Sequence, residues 1–302
     1  MEETPLFSVI IPTRGRHAQL AACLASLAAQ EFARRDFEVV VVDDGSAPPV
    51  GDCVAPFRAR LDLKVYAQAN AGPAAARNRG AAHARGRFLA FTDDDCLPDA
   101  RWLAALAARL DASPDALVGG RTVNALASNA YSATSQLIID VVYGHYNADG
   151  GGARFFASNN FAARRGPFRE AGGFDESFRC SEDRDFCDRW LARGRRLVYA
   201  PEALVRHAHA LGARSLWRQH FGYGRGAYRF HRKREAHGAD RFQPEPAFYS
   251  KLLRAALAQP RPSQSIKMTA LLAWAQAANA AGFFYERLRP APPPESSRGA
   301  AA

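Results

Sequence analysis

Along the first third of the chain, blocks of apolar residues alternate with mixed stretches. The runs LFSVII (6–11), FEVVVV (37–42), LDLKVY (61–66) and RFLAFT (87–92) are short and largely apolar, which predicts buried strands. After the first, Leu20, Leu24, Leu27 and Ala28 recur at helical spacing. Before the fourth, PAAARNRGAAHARG (73–86) predicts a helix with Pro73 in its first turn, where no N–H is needed. Beyond the fourth, Pro98 and Asp99 are expected to open a helix over ARWLAALAARL. This alternation predicts an α/β fold whose mainly parallel sheet is covered by helices on both faces.

Past about residue 112 the pattern is less regular. FFASNNFAARR (155–165) reads as a strand with a polar centre. SEDRDFCDRWLARG (181–194) reads as a helix with Ser181 as N-cap, Phe186, Trp190 and Leu191 on its apolar face, and Gly194 at its end. RLVYAPEALVRHAHA (196–210) predicts a short strand followed by paired histidines, and the chain from 212 onward reads as helical and basic. The Pro- and Ser-rich tail at 289–302 is expected to be disordered.

Three predicted strands end in unusual polar groups: PTRGR after the first, DDGS after the second and DDDC after the fourth. In an open α/β sheet, ligands bind outside the carboxyl ends of the strands, so a parallel arrangement would gather all three on one rim. Adjacent carboxylates repel unless cations or hydrogen-bond donors offset them. Hard oxygen ligands of this kind suit Mg²⁺ or Mn²⁺, which commonly bridge carboxylates and a phosphate. Read alone, Asp43 and Asp44 are also good turn formers, Asp99 reads as an N-cap, and Glu182 and Asp183 suit a helix N-terminus. No Walker A loop is present, and no G-x-G-x-x-G follows a strand, which counts against kinase and hydride-transfer chemistry.

The 302 residues carry a net charge of +10, with a pI near 9.7, and that excess favours an anionic partner. Five cysteines without a C-x-x-C pair indicate neither a disulfide framework nor a thiolate zinc site. The first residues lack the features of a signal peptide, so a cytoplasmic location is expected. MTALLAWAQAANAAGFFY (268–285) is broken by Gln276 and Asn279, and is expected to pack on the domain or lie on a membrane surface rather than span it.

SVIIPTRGR, VVVVDDGS, NAGPAAARNRG and FTDDDC, followed by SNNFAARR, GGFDESF and EDRDFCDRW, resemble in order and spacing family 2 of the glycosyltransferases. The resemblance covers about residues 6–230. It implies a GT-A fold, Rossmann-like, with a helical C-terminal extension, and an inverting, metal-dependent transfer of one sugar from a nucleoside-diphosphate sugar. UDP-sugar is the expected donor, a glycan or lipid-linked molecule the expected acceptor, and cell-envelope glycan or glycolipid synthesis the expected setting. Where processive relatives carry Q-x-x-R-W, this chain has FCDRW, with Phe186 in the glutamine position, which argues against polymer synthesis.

Carried onto this chain, the resemblance places Pro12, Thr13 and Arg16 in a loop around the nucleotide, and Asp44, with Asp43 beside it, at the base. Arg77 falls near the nucleotide and diphosphate. Asp93 would face the ribose or the divalent metal (Mn²⁺ or Mg²⁺), and Asp95 would ligate that metal. Asp94 takes the variable middle position and is expected to tolerate substitution better than its neighbours. Asp183 becomes the general base, with Glu182 beside it and Arg189 near the diphosphate. His207 is the third expected metal ligand, with His209 as its competitor, and Asn159 and Asn160 would contact donor sugar or acceptor.

The implied division is a catalytic domain at 1–230, with a nucleotide half to about 120 and an acceptor half from 121, then a basic and apolar helical extension at 231–288. GYGRGAYRFHRKR (222–234) interleaves aromatic and basic residues; it reads as a solvated helical face or as a site for an anionic membrane surface on the inner face or a lipid-phosphate acceptor, ahead of nucleic acid. Two other function classes compete. A sugar nucleotidyltransferase would carry a Gly-rich, Lys-containing N-terminal loop, which PTRGRHAQL is not. A non-catalytic basic membrane-binding protein on the same scaffold has no need of the acids at 93–95 and 182–183.

Overall fold

The computed structural model describes residues 4–147, 152–239 and 241–289. The four apolar runs form strands β1 (Phe7–Thr13), β2 (Phe37–Asp43), β3 (Leu63–Ala67) and β4 (Phe88–Thr92), all parallel, in the order β3-β2-β1-β4. The crossovers contain helix α1 (His17–Leu27), the single turn α2 (Gly51–Val54) and α3 (Pro73–His83). Successive strand residues face opposite layers. Val9, Ile11, Val39, Val41 and Ala90 pack with Leu20, Leu24 and Leu27 of α1. Ile10, Val40, Val42, Leu89 and Phe91 pack with Ala74, Ala76 and Ala81 of α3. Both faces being covered explains why these strands are continuous apolar runs.

The rest of the sheet departs from the expected parallel pattern. Strand β5 (Cys96–Pro98) and helix α4 (Trp102–Ala112) follow β4; then come β6 (Leu117–Asn124), α5 (Ala130–Tyr146), β7 (Asn160–Arg164), α6 (Arg165–Glu170), α7 (Glu182–Ala192) and β8 (Leu197–His207). The sheet continues β4-β7-β6-β8-β5, in which only β6–β8 is parallel. The helix expected to open at Pro98 begins at Trp102; residues 96–98 instead pair antiparallel with β8, Cys96 opposite His207. Proline tolerates this placement because β5 lies at the edge of the sheet. The strand expected at 155–165 is confined to Asn160–Arg164, and β8 is longer than foreseen. Ser181 stands at the expected N-cap position, but it is left-handed (φ 70°) and among the described residues its side chain makes no capping bond.

The C-terminal helices α8 (Ala213–Ala236), α9 (Pro246–Leu257) and α10 (Pro262–Leu288) form a third layer of core with α5, centred on Ile138, Leu216, Leu252, Leu272 and Ala275. The expected boundary at 230/231 falls inside α8. Helices α8 and α10 cross so closely that a Cβ on Gly224 would lie 1.9 Å from the Asn279 carbonyl oxygen, and one on Gly282 2.0 Å from that of Phe221. Glu286 is buried in the same seam and accepts from Arg225 and Arg229, 2.6 Å each. No helix among the described residues is long and apolar enough to cross a membrane. The expected disordered tail lies, from residue 290 on, outside the described residues.

Because backbone meets backbone at this crossing, Gly282→Ala is expected to lower stability by about 1–3 kcal/mol through overpacking. The lower urea midpoint should be absent in Ala281→Ser, which alters an exposed neighbour.

Candidate active site

The ends of β1, β2 and β4 meet the start of α7 and the end of β8 around a cavity of about 1630 Å³. Its floor is the acidic triplet, and each member turns to a different partner. Asp94 is buried; Thr13 Oγ1 donates to its Oδ2 at 2.7 Å and Arg16 Nη1 to its Oδ1 at 3.1 Å. Arg16 also donates to Asp95 Oδ2 at 2.7 Å. Asp95 Oδ1 lies 3.1 Å from His207 Nε2, on the strand that β5 pairs with. Asp93 accepts from Arg77 Nη2 at 2.5 Å, and the same guanidinium donates from Nη1 to Glu182 at 2.8 Å.

Burial decides the electrostatics. It pushes Asp94 up to about 6, with Asp95 and Asp93 adding to the rise against the pull of Arg16 and Thr13. Asp95 is also buried, yet His207 and Arg16 hold its carboxyl well below the usual carboxylate range. Burial disfavours the charged ring of His207, but Asp95 outweighs it and the pKa rises; His209 is lowered by burial and by His207. For Arg77, burial opposes the charge, and Asp93 and Glu182 more than restore it, so the pKa is raised. Arg77 Nε is buried and has no hydrogen-bond partner among the described residues.

Asp183 differs from all of these. Its oxygens accept from backbone N–H groups, Arg184 at 2.8 Å and Ser158 at 3.3 Å, and among the described residues no cationic side chain bonds it. Burial first, and the adjacent Glu182 second, raise its pKa well above the ordinary carboxylate range. It faces the cavity beside Ser158 and Asn159.

Pro12, Thr13, Arg16, Arg77 and the acids 93–95 and 182–183 thus line one cavity, with Asp44, Asn159 and His207. Asp44 is heavily committed, accepting from Gln68, Asn70 and the backbone N–H groups of Ala71 and Gly72 at 2.8–2.9 Å. Three expected site residues lie elsewhere. Asp43 turns away and closes its own loop, accepting from Ser46 and Val50 N–H groups at 2.8 and 3.2 Å. Arg189 lies outside the cavity lining and ties α7 to the preceding loop through Asp185 (2.7 Å), the Gly173 carbonyl (2.6 Å) and the Ala171 carbonyl. Six residues on from Asp183 is about 240° around a helix, so the two face different sides. Asn160 is structural as well: Trp102 donates to it, and it donates to the Arg121 and Ala203 carbonyls.

Asp95, His207 and His209 offer ligand atoms that all lie within 4.8 Å of one another. His207 and His209 both stand in this cluster, while Asp93 lies outside it, its Oδ1 held by Arg77. One carboxylate and two imidazoles could hold a divalent ion, and the nitrogen donors suit Mn²⁺ better than Mg²⁺. Sequence spacing gives no sign of Arg179, which lines the cavity beside Gly72, or of His220, whose buried Nε2 has no partner among the described residues and whose pKa burial lowers to about 4.

A family model described as glycosyl transferase family 2 matches residues 8–172, just over half of the chain. A pre-mycofactocin glycosyltransferase of Mycobacterium tuberculosis is 35% identical over 209 residues, 67% of this chain and 42% of the relative. Validoxylamine A glucosyltransferase of Streptomyces hygroscopicus subsp. limoneus is 42% identical over 119 residues, 38% of this chain and 26% of the relative. The chain thus spans less than half the length of these relatives. Among solved structures, the mannosyltransferase PcManGT of Pyrobaculum calidifontis, in complex with GDP-Man and Mn²⁺, superposes with a TM-score of 0.62 at 20% identity, over 91% of this chain and 74% of that one. Staphylococcus aureus TarS 1–349 with UDP-GlcNAc superposes at 0.54 and 19% identity, over 93% and 90%. At such identities the likeness shows the fold.

Two stability tests follow from the bonds on the cavity floor. Arg77→Met should destabilise the protein by roughly 3–5 kcal/mol, because Asp93 and Glu182 lose their shared counter-ion. Asp94→Ala should also be costly, by about 1–3 kcal/mol, because it strands the buried Thr13 hydroxyl and leaves Arg16 with Asp95 alone; a midpoint unchanged in chemical denaturation would refute that assignment.

Proposed function

The chain belongs to family 2 of the glycosyltransferases, and on that premise we propose that it moves a single sugar, with inversion, from a nucleoside-diphosphate sugar to an acceptor hydroxyl. The observation that carries this reading is the buried Asp93–Arg77–Glu182 bridge. It welds the strand-end rim to the start of α7 and leaves the next residue, Asp183, as a half-buried carboxylate that no cationic side chain bonds among the described residues.

Asp183 accepts the proton of the acceptor hydroxyl as its oxygen attacks the anomeric carbon. The bond from that carbon to the diphosphate breaks in the same displacement, and the leaving group departs with the electron pair, so configuration inverts. Thr13 and Arg16, anchored on Asp94 and Asp95, shape the nucleotide side of the cavity. Asp95, His207 and His209 would hold a divalent metal, Mn²⁺ by the donor set, which when bound supplies positive charge for the departing diphosphate. Asn159, which lines the cavity, is the residue this reading assigns to donor sugar or acceptor. PcManGT holding GDP-Man and TarS holding UDP-GlcNAc support a nucleotide-sugar donor here; a UDP-sugar and a glycan or lipid-linked acceptor complete the proposal.

Asp183→Asn should abolish transfer, by at least a thousandfold in kcat, while donor binding measured by calorimetry stays near normal. Asp95→Ala should weaken metal-dependent donor binding. Turnover close to wild type in Asp183→Asn would remove that residue from the role of base. Because its pKa is raised, the base is protonated and inactive at low pH. The rate should therefore climb about tenfold per pH unit until it levels off above the ordinary carboxylate range of roughly 4.

A further inference from the structure

Helices α9 and α10 present a second surface that chemistry at the strand ends does not use. On α10 the exposed residues Ile266, Ala270, Trp274, Ala277, Phe284 and Leu288 fall within an arc of about 80° at 100° per residue. They form one apolar stripe along the whole helix, with Ile266 72% and Leu288 83% exposed. On α9, Tyr249, Leu253 and Leu257 stand one turn apart and are likewise exposed. Contiguous exposed apolar surface of this kind marks a contact with something else.

Charge says what that something is. Residues 246–289 carry six cations (Lys251, Arg254, Arg261, Lys267, Arg287 and Arg289) and a single acid. That acid, Glu286, is buried and already bonded to Arg225 and Arg229 of α8, so the hairpin's outward charge is entirely positive. A second copy docked face to face would bring two such surfaces together and repel. An anionic bilayer meets both requirements, apolar depth for the stripe and headgroup charge for its margins. Neither helix is apolar enough to span, so the hairpin lies on the surface.

Phe284 and Tyr249 belong both to the exposed stripes and to the lining of the active-site cavity. We propose that the α9–α10 hairpin docks on an anionic lipid bilayer, with the cavity mouth turned toward the headgroups, so that the acceptor is a hydroxyl-bearing amphiphile held in that bilayer. The acceptor half of this statement rests on the sugar-transfer reading; the docking half does not.

The test is flotation of the full chain with phosphatidylcholine vesicles, with and without about one third phosphatidylglycerol, at physiological salt. The protein should float with the anionic vesicles and at least tenfold less with the neutral ones. The triple variant Leu257→Glu, Ile266→Glu, Leu288→Glu, all at exposed positions away from the cavity lining, should float at least tenfold less while binding nucleotide sugar as wild type does. Absence of flotation, or equal flotation of the variant, overturns the proposal. So does a wild-type dimer in sedimentation that the variant converts to monomer without lipid. Loss of nucleotide-sugar binding by wild type would instead count against the sugar-transfer reading and leave the flotation result standing.

Discussion

Three consecutive carboxylates at the end of a buried strand cannot share one environment, and the structure around the cavity follows from that constraint. Partners from across the fold offset them: Arg77 on α3 holds Asp93, Thr13 at the end of β1 and Arg16 just beyond it hold Asp94, and Arg16 and His207 on β8 hold Asp95. These partners are 16 to 112 residues away in sequence. Satisfying the triplet therefore means bringing four segments to one point, and that point is where the cavity lies. The repulsion that makes the triplet costly in isolation becomes a device for assembling the site.

The same constraint separates supporting acids from an available one. Asp44, Asp94 and Glu182 are engaged by donors from neighbouring elements and hold loops in place. Among the described residues, Asp183, one residue beyond Glu182 and half-buried, accepts hydrogen bonds only from the backbone N–H groups of Ser158 and Arg184. Arg77 makes this contrast by engaging one carboxylate of the pair and leaving its neighbour. A carboxylate so placed is strained toward its protonated form, which is the property a proton acceptor near neutral pH requires.

The C-terminal helices extend this organisation outward. The glycine crossing of α8 and α10 brings backbones into contact and sets α10 at the cavity edge, where Phe284 is half inside and half outside. Burying Glu286 against two arginines locks that crossing and removes the one negative charge from a surface that is otherwise basic and apolar.

Local pattern alone determined much of this protein. The runs at 6–11, 37–42, 61–66 and 87–92 are strands because continuous apolar sequence has to be covered on both faces, and covering it with α1 and α3 produces the parallel half of the sheet. That parallel half is enough to gather PTRGR, DDGS and DDDC on one rim. What only the tertiary structure decided is who pairs with whom. Pro98 and its neighbours look like a helix start, yet pairing with β8 makes them an edge strand, and that pairing carries His207, and with it His209, to Asp95. Asp94 looks like a free middle position until burial and two donors make it a tie, and Arg189 looks like a site residue until helical rotation points it at Asp185. The reason is the same in each case: periodicity along a chain reports which face of an element is apolar, whereas the partner of a charged side chain is set by distances across the fold that local sequence does not encode.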